Sequence, residues 1–334
     1  MEFAESDIKK FLADNLYSTA SFEIIPIKKG GSDRSFFRVC LPDKSSFIFM
    51  HYGMEVEENA YWANINKFLA GLEISVPEIV AQDVQQHFIL MEDLGDIDLW
   101  SQRILPWNKR RDYYFQVLIQ IRRLHAYPLV SIPANLKLSE SYGPRLYKWE
   151  HDYFLENLVQ EVCKLKLSPS LLKDLNKELD GLIIRLQNIE PCLIHRDLQS
   201  QNIMIKNDKP VLIDFQGMRL GNFFYDLGSL ICDPYVSFTT EERNKLINFY
   251  YELTNPDYSR DNFINYFWEA SVQRLMQALG AYGFLGLKKN KPDFLKHVYN
   301  GIRNLILSTS NTKNLPLLHR LSQQCESILA ERQI

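Results

Sequence analysis

The chain has 334 residues, a formal net charge of −3, and 46% hydrophobic against 24% charged residues. That composition supports a real core in one large or two ordinary domains, and it gives no electrostatic reason to expect nucleic acid or an anionic membrane as partner. No apolar run approaches the roughly 18 residues of a membrane span.

The N-terminus, Met1-Glu2-Phe3-Ala4-Glu5-Ser6-Asp7, is acidic where a secretory leader would be basic. Five cysteines, at positions 40, 163, 192, 232 and 325, are odd in number and fit no metal-binding spacing. Reduced thiols in a soluble, cytoplasmic protein are therefore expected.

The first hundred residues read as a small sheet with one inserted helix. Residues 21–28, 36–41 and 47–50 are strand-like, and the segment Gly30-Gly31-Ser32-Asp33-Arg34-Ser35 turns between the first two. Residues 55–70 are helical, with Trp62, Ile65, Phe68 and Leu69 on one side and Gly71 as a stop. Strand-like runs at 76–81 and 87–91 lead into Glu92-Asp93-Leu94-Gly95.

Beyond that point the periodicity changes from two to 3.6. Helices are predicted over 108–125, 147–158, 172–186, 224–232, 240–253, 261–283, 293–307 and 316–331. The basic run Lys288-Lys289-Asn290-Lys291 reads as a solvated loop. Strands followed by helices, without alternation, argue for an α+β fold. The expectation is a strand-rich lobe over 1–95, a helical lobe over 96–334, and a nucleotide-sized cleft between them.

The one break in the helical half carries the chemistry. Cys192 to Phe215 contains His195-Arg196-Asp197, then Asn202, then Asp214 at the end of a short apolar run. Residues 203–205 and 211–213 are β-type, and the polar segment 206–210 folds them into a hairpin. Asn202 and Asp214 then meet at its open end, where two oxygen ligands suit a hard cation such as Mg2+. Asp197, on the loop leading in, suits a base that orients an attacking hydroxyl. Its five-residue spacing to Asn202 matches the kinase catalytic loop, so phosphoryl transfer from ATP is the chemistry indicated.

The turn at 30–35 joins strand to strand, so it is no Walker loop. Gly31, Ser32, Arg34 and Ser35 instead suit a flap over a triphosphate; the bland alternative is a hairpin turn with an exposed arginine. One kinase feature is missing. Met50 stands where a third-strand lysine would contact phosphates and pair with a helix glutamate, which leaves Glu57 or Glu58 without its usual partner. Either Arg34 or Arg38 supplies the cation, or nucleotide binds without transfer.

In these residues the chain resembles the aminoglycoside phosphotransferase-like kinases, a small-molecule branch of the protein-kinase fold, over roughly residues 20–285. The resemblance implies Asp197 as base, Asn202 and Asp214 as Mg2+ ligands, Glu92 to Gly95 (with Glu92 and Leu94) as the hinge meeting adenine, and Asp226 as a brace for the catalytic loop. Within the family, Ser32-Asp33-Arg34-Ser35-Phe36-Phe37-Arg38, the segment 195–204, Ile213-Asp214-Phe215-Gln216, and the segment 274–283 look similar to bacterial anomeric kinases that phosphorylate N-acetylmuramate and N-acetylglucosamine in cell-wall recycling. Those sugar kinases also tend to carry Met on the third strand, and family aminoglycoside kinases usually have Gly where Arg196 stands.

An amino-sugar substrate with ATP and Mg2+ is what the resemblance implies; a monomer or weak dimer is expected. Gln199 and Gln216 suit sugar hydroxyls or an N-acetyl group, or else they are solvated loop. Arg196 meets substrate or pairs with a carboxylate. Glu150 falls where the sugar kinases carry an acidic residue, the alternative being an exposed helix glutamate. His195 is expected to be structural, bonding nearby backbone. Only eleven residues separate Asp214 from Asp226 and no Ala-Pro-Glu follows, too little to seat a peptide, so a protein substrate is disfavoured. Rival readings are a kinase of another metabolite (aminoglycoside-, choline- or methylthioribose-like) and a nucleotide-binding pseudokinase.

Overall fold

The computed structural model describes residues 5–16, 23–27 and 34–332. Five strands form one antiparallel sheet: β1 (Glu23–Ile27), β2 (Arg34–Cys40), β3 (Ser46–Tyr52), β4 (Ile79–Asp83) and β5 (Phe88–Glu92), in the order β1-β2-β3-β5-β4. The fourth strand starts three residues later than expected. Pro77 has no N–H to give a ladder, and its carbonyl instead accepts Asn66 Nδ2 at 2.9 Å.

The sheet has two apolar faces. Val39, Phe49, Phe88 and Leu90 line one, and they are covered by Ile8, Phe11 and Leu12 of a helix, α1 (Glu5–Leu16), that lies outside the sequence expectation. Twelve residues with three core positions make a helix held by tertiary packing more than by propensity. Met50, Tyr52, Ile89 and Met91 line the other face. They merge with Trp62, Ile65 and Leu69 of α2 (Trp62–Gly71) and with the core of the helical lobe.

That lobe begins with α3 (Trp107–His125), α4 (Pro144–Phe154, continued as a π-helix to Val162) and α5 (Pro169–Gln187). Two small antiparallel pairs follow: β6 (Cys192–Ile194) with β9 (Arg219–Gly221), and the hairpin β7 (Ile203–Lys206) with β8 (Lys209–Leu212). The remainder is α6 (Phe223–Ile231), α7 (Thr240–Thr254), α8 (Arg260–Gly283), α9 (Val298–Ser310) and α10 (Pro316–Arg332). Helix α8 is buried on nearly every side and forms the axis of the lobe. A Cβ on Gly228 would lie 2.9 Å from Ser271, so glycine is what lets α6 pack so close to it.

Pro210, expected in the turn of the β7–β8 hairpin, lies in β8, and the turn itself is only Asn207-Asp208. Both residues have positive φ, 51° and 57°, as a two-residue hairpin turn of the primed type requires.

Candidate active site

The hairpin delivers its two predicted ligands to one end. Ile203 pairs with Leu212, and one step further Ile213 N–H donates to the Asn202 carbonyl at 3.0 Å. Asp214 follows at once, with φ 63° and ψ 33°, a left-handed conformation that ends the strand and turns the chain away. Phe215 beyond it is wholly buried against Trp62 of α2, ring centroids 5.1 Å apart, which anchors the turn.

Asn202 also touches the loop over residues 195–200 directly. Its Nδ2 donates to the Asp197 carbonyl at 3.0 Å, and among the described residues its Oδ1 makes no hydrogen bond. The loop is pinned at both ends by buried carboxylates. Asp226 of α6 accepts the N–H groups of His195 at 2.7 Å and Arg196 at 2.8 Å. Asp233, just past α6, accepts Ser200 N–H at 2.8 Å and its hydroxyl at 2.5 Å. Asp233 was not singled out from sequence; nothing local marks an aspartate 33 residues away as the partner of Ser200.

Two arginines hold the Asp197 side chain. Arg196 Nη1 pairs with Oδ2, and Arg274 Nη2 lies 3.3 Å from Oδ1. Burial works to raise the Asp197 pKa, but Arg196 and Arg274 outweigh it and keep the carboxyl below its ordinary range. Arg274 is a second residue the sequence reading passed over as a site residue. It sits on α8 with its side chain only 4% exposed, tied also to Ser229 Oγ (3.1 Å) and Gln277 Oε1 (2.5 Å). A cation in the middle of an otherwise core-facing helix was the available signal, because buried charge needs a partner.

The remaining predicted residues divide. Gln216 bridges two of them, donating to Asp214 Oδ1 at 3.0 Å and accepting Arg34 Nη1 at 2.8 Å. Gln199 is half-buried and donates weakly to the Tyr282 hydroxyl at 3.4 Å. Glu92 has its side chain engaged by Lys206 Nζ at 2.7 Å and by Glu78 N–H at 3.1 Å. Leu94 is buried, Ser35 is half-buried on β2, and Gly31 and Ser32 lie outside the described residues.

Two expectations need correcting. His195 bonds through its backbone only: neither ring nitrogen has a hydrogen-bond partner among the described residues. Glu150, a candidate substrate contact with an exposed helix glutamate as the alternative, is buried with its carboxylate fully engaged. It is 1% exposed, with Oε1 accepting the hydroxyls of Tyr142 (2.9 Å) and Tyr225 (2.8 Å) and Oε2 accepting Gln273 Nε2 (2.8 Å). Burial raises its pKa against the pull of those donors. In place of the missing lysine the glutamates take other partners: Glu58 Oε1 meets Arg219 Nη2 at 3.1 Å, and Glu57 accepts the Tyr61 hydroxyl at 2.7 Å.

Among the described residues no group of three His, Cys, Asp or Glu side chains is arranged to hold a metal by itself. Asn202 and Asp214 offer hard oxygen donors, too few to bind a cation without phosphate or water. That donor set fits Mg2+, which usually keeps waters and shares substrate phosphates.

Residues 23–263 match the sequence profile described as the phosphotransferase enzyme family. An N-acetylmuramate/N-acetylglucosamine kinase of Pseudomonas aeruginosa is 24% identical over 318 residues, 93% of this chain and 91% of the relative. Its namesake in Neisseria meningitidis serogroup B is 22% identical over 299 residues, 84% of this chain and 83% of the relative. Among solved structures, the ADP-bound aminoglycoside phosphotransferase APH(2'')-Ib superposes with a TM-score of 0.60 at 14% identity, covering 90% of this chain and 98% of that one.

Proposed function

The chain belongs to the phosphotransferase enzyme family, a kinase acting on a hydroxyl group, and from that premise we propose that it uses ATP and Mg2+ to phosphorylate the anomeric hydroxyl of an amino sugar, N-acetylmuramate or N-acetylglucosamine, in cell-wall recycling. The observation that supports this reading is the pair of hydrogen bonds that tie Asn202 to Asp197 and to Ile213, the residue before Asp214, together with relatives of that name spanning nearly the whole chain.

Mg2+ on Asn202 and Asp214 would neutralise charge on the phosphates. Asp197, ionised between its two arginines, accepts a hydrogen bond from the acceptor hydroxyl and aligns its oxygen for attack. A depressed carboxylate is a weak base, and a hemiacetal hydroxyl, more acidic than an ordinary alcohol, demands less of it. Asp226 and Asp233 keep the loop rigid enough for that alignment. In this reading Glu92 and Leu94 would meet adenine, and Gly31, Ser32, Arg34 and Ser35 would meet the phosphates. Gln199 and Gln216 remain the candidates for sugar contacts, while Glu150, 1% exposed and held by Tyr142, Tyr225 and Gln273, is set aside as one.

The rival acceptors, aminoglycosides and choline, are cationic. Asp197, Asp214 and Glu58 are each already paired with an arginine, so these three carboxylates offer an incoming cation no unpaired charge. A panel of N-acetylmuramate, N-acetylglucosamine, aminoglycosides, choline and methylthioribose, read by ADP release, tests the proposal. Turnover restricted to the two amino sugars is expected; turnover of choline or an aminoglycoside alone would refute the acceptor assignment, and MgATP binding without turnover of any acceptor would favour a pseudokinase.

A further inference from the structure

Met50 has its side chain on the sheet face that carries Phe36, its cross-strand partner on β2. Arg34 and Arg38 lie two residues to either side of Phe36, so both start from that same face, one strand over from the place of a kinase lysine. Their side chains then diverge. Arg38 is spent on Asp93 (2.6 Å) and Asp96 (2.8 Å), beside the link between the lobes. Arg34 crosses to the other lobe, with Nη2 2.5 Å from Asp214 Oδ1 and Nη1 2.8 Å from Gln216 Oε1.

The second half of the kinase ion pair has been reassigned as well. Glu58, just before α2, meets Arg219 of β9 across the lobes instead of a lysine within its own. Met50 is completely buried in the core shared by sheet, helix and lower lobe, where an unpaired ammonium would be costly.

We propose that Arg34 replaces the absent third-strand lysine as the cation that binds nucleotide phosphate, with the glutamate of the old pair transferred to Arg219. This rests on the reading above that the cleft takes a nucleotide and that Asp214 bears its metal. A guanidinium already beside that carboxylate is within one side-chain swing of phosphates bridged to it, and its planar fork suits phosphate oxygens.

Calorimetric titration of MgATP and of adenosine into wild-type protein, Arg34→Met and Arg34→Gln tests the assignment. Arg34→Gln keeps a donor for Asp214 and guards against a variant that fails to fold. Loss of one charge-assisted phosphate contact should weaken MgATP by about tenfold or more in either variant and leave adenosine, which has no phosphate, unchanged. An unaltered MgATP affinity, or equal losses for MgATP and adenosine, would overturn it. Wild-type protein that binds neither ligand would instead bring down the nucleotide reading itself.

Discussion

Asp226 accepts the backbone N–H of Arg196 at 2.8 Å while Arg196 sits at φ 80°, a region that a non-glycine residue enters only against strain. The same carboxylate takes His195 N–H and, at 3.0 Å, His125 Nε2. A carboxylate only accepts, so His125 is protonated at Nε2 and its Nδ1 is left to accept the Tyr250 hydroxyl. Asp226→Asn puts an NH2 against at least one of these donors in a wholly buried place. It should lower unfolding free energy by about 3 kcal/mol and depress turnover further than nucleotide affinity. Urea denaturation beside steady-state kinetics measures both; a variant matching wild type in midpoint and kcat would show that the loop does not depend on this brace.

Asp197→Asn separates chemistry from binding. Turnover should fall by about a thousandfold while MgATP affinity, which depends on other groups, stays put. The variant should also be less stable, because Arg274 loses its one carboxylate partner among the described residues and is too buried to be rescued by water. Near-wild-type kcat in Asp197→Asn would remove Asp197 from the catalytic role.

Arg274 reaches Asp197 only through its guanidinium, so it is a positioning residue and its removal should show in kcat. Arg274→Lys shortens the reach and cannot bond Ser229, Gln277 and Asp197 in one plane. Misplacing a reacting group by about 1 Å costs up to a hundredfold, so a tenfold to hundredfold drop in kcat with little change in either KM is expected. Arg274→Ala should recover part of its rate when guanidinium is added. A purely structural role predicts no such recovery.

The catalytic hairpin was legible because its cues are local: two β-type runs, a polar turn, and Asn202 and Asp214 at fixed offsets from it. The helices of the second lobe were legible for the same reason, by their 3.6 periodicity. What escaped depends on partners far apart in the chain. Arg274 finds Asp197, Asp233 finds Ser200 and Arg219 finds Glu58 across 77, 33 and 161 residues, and no spacing rule announces such pairs. Helix α1 escaped for a related reason: its three apolar side chains acquire meaning only against Phe49 and Phe88 of the sheet. Glu150 was placed by resemblance to the sugar kinases, with an exposed helix glutamate as the alternative, and neither cue tells that the hydroxyls of Tyr142 and Tyr225 meet it in the interior.

His151 supplies a pH prediction whose sign follows from its surroundings. It is 2% exposed on α4, and its Nε2 donates to Gln273 Oε1 at 2.7 Å. Burial pulls its pKa down to about 4, with the Gln273 bond working the other way. Above about pH 6.5 the ring is neutral folded or unfolded and contributes nothing. As pH falls below that, the unfolded chain takes up a proton that the folded one refuses, so stability declines until the folded value is passed, by about 3 kcal/mol in all. His125, lowered by burial in the same direction, adds to the decline. Glu150, joined to His151 through Gln273, has the opposite sign: its raised pKa lets the folded state take a proton first, which offsets part of the loss. The depressed Asp197 carboxylate loses its contribution only below the ordinary carboxylate range, outside this window. His151→Gln keeps a donor for Gln273 and removes the ionisation, so the stability difference between pH 7 and pH 5 should shrink by about 2 kcal/mol relative to wild type. Urea midpoints at the two pH values decide it, and equal differences in the two proteins would mean that His151 protonates as freely folded as unfolded.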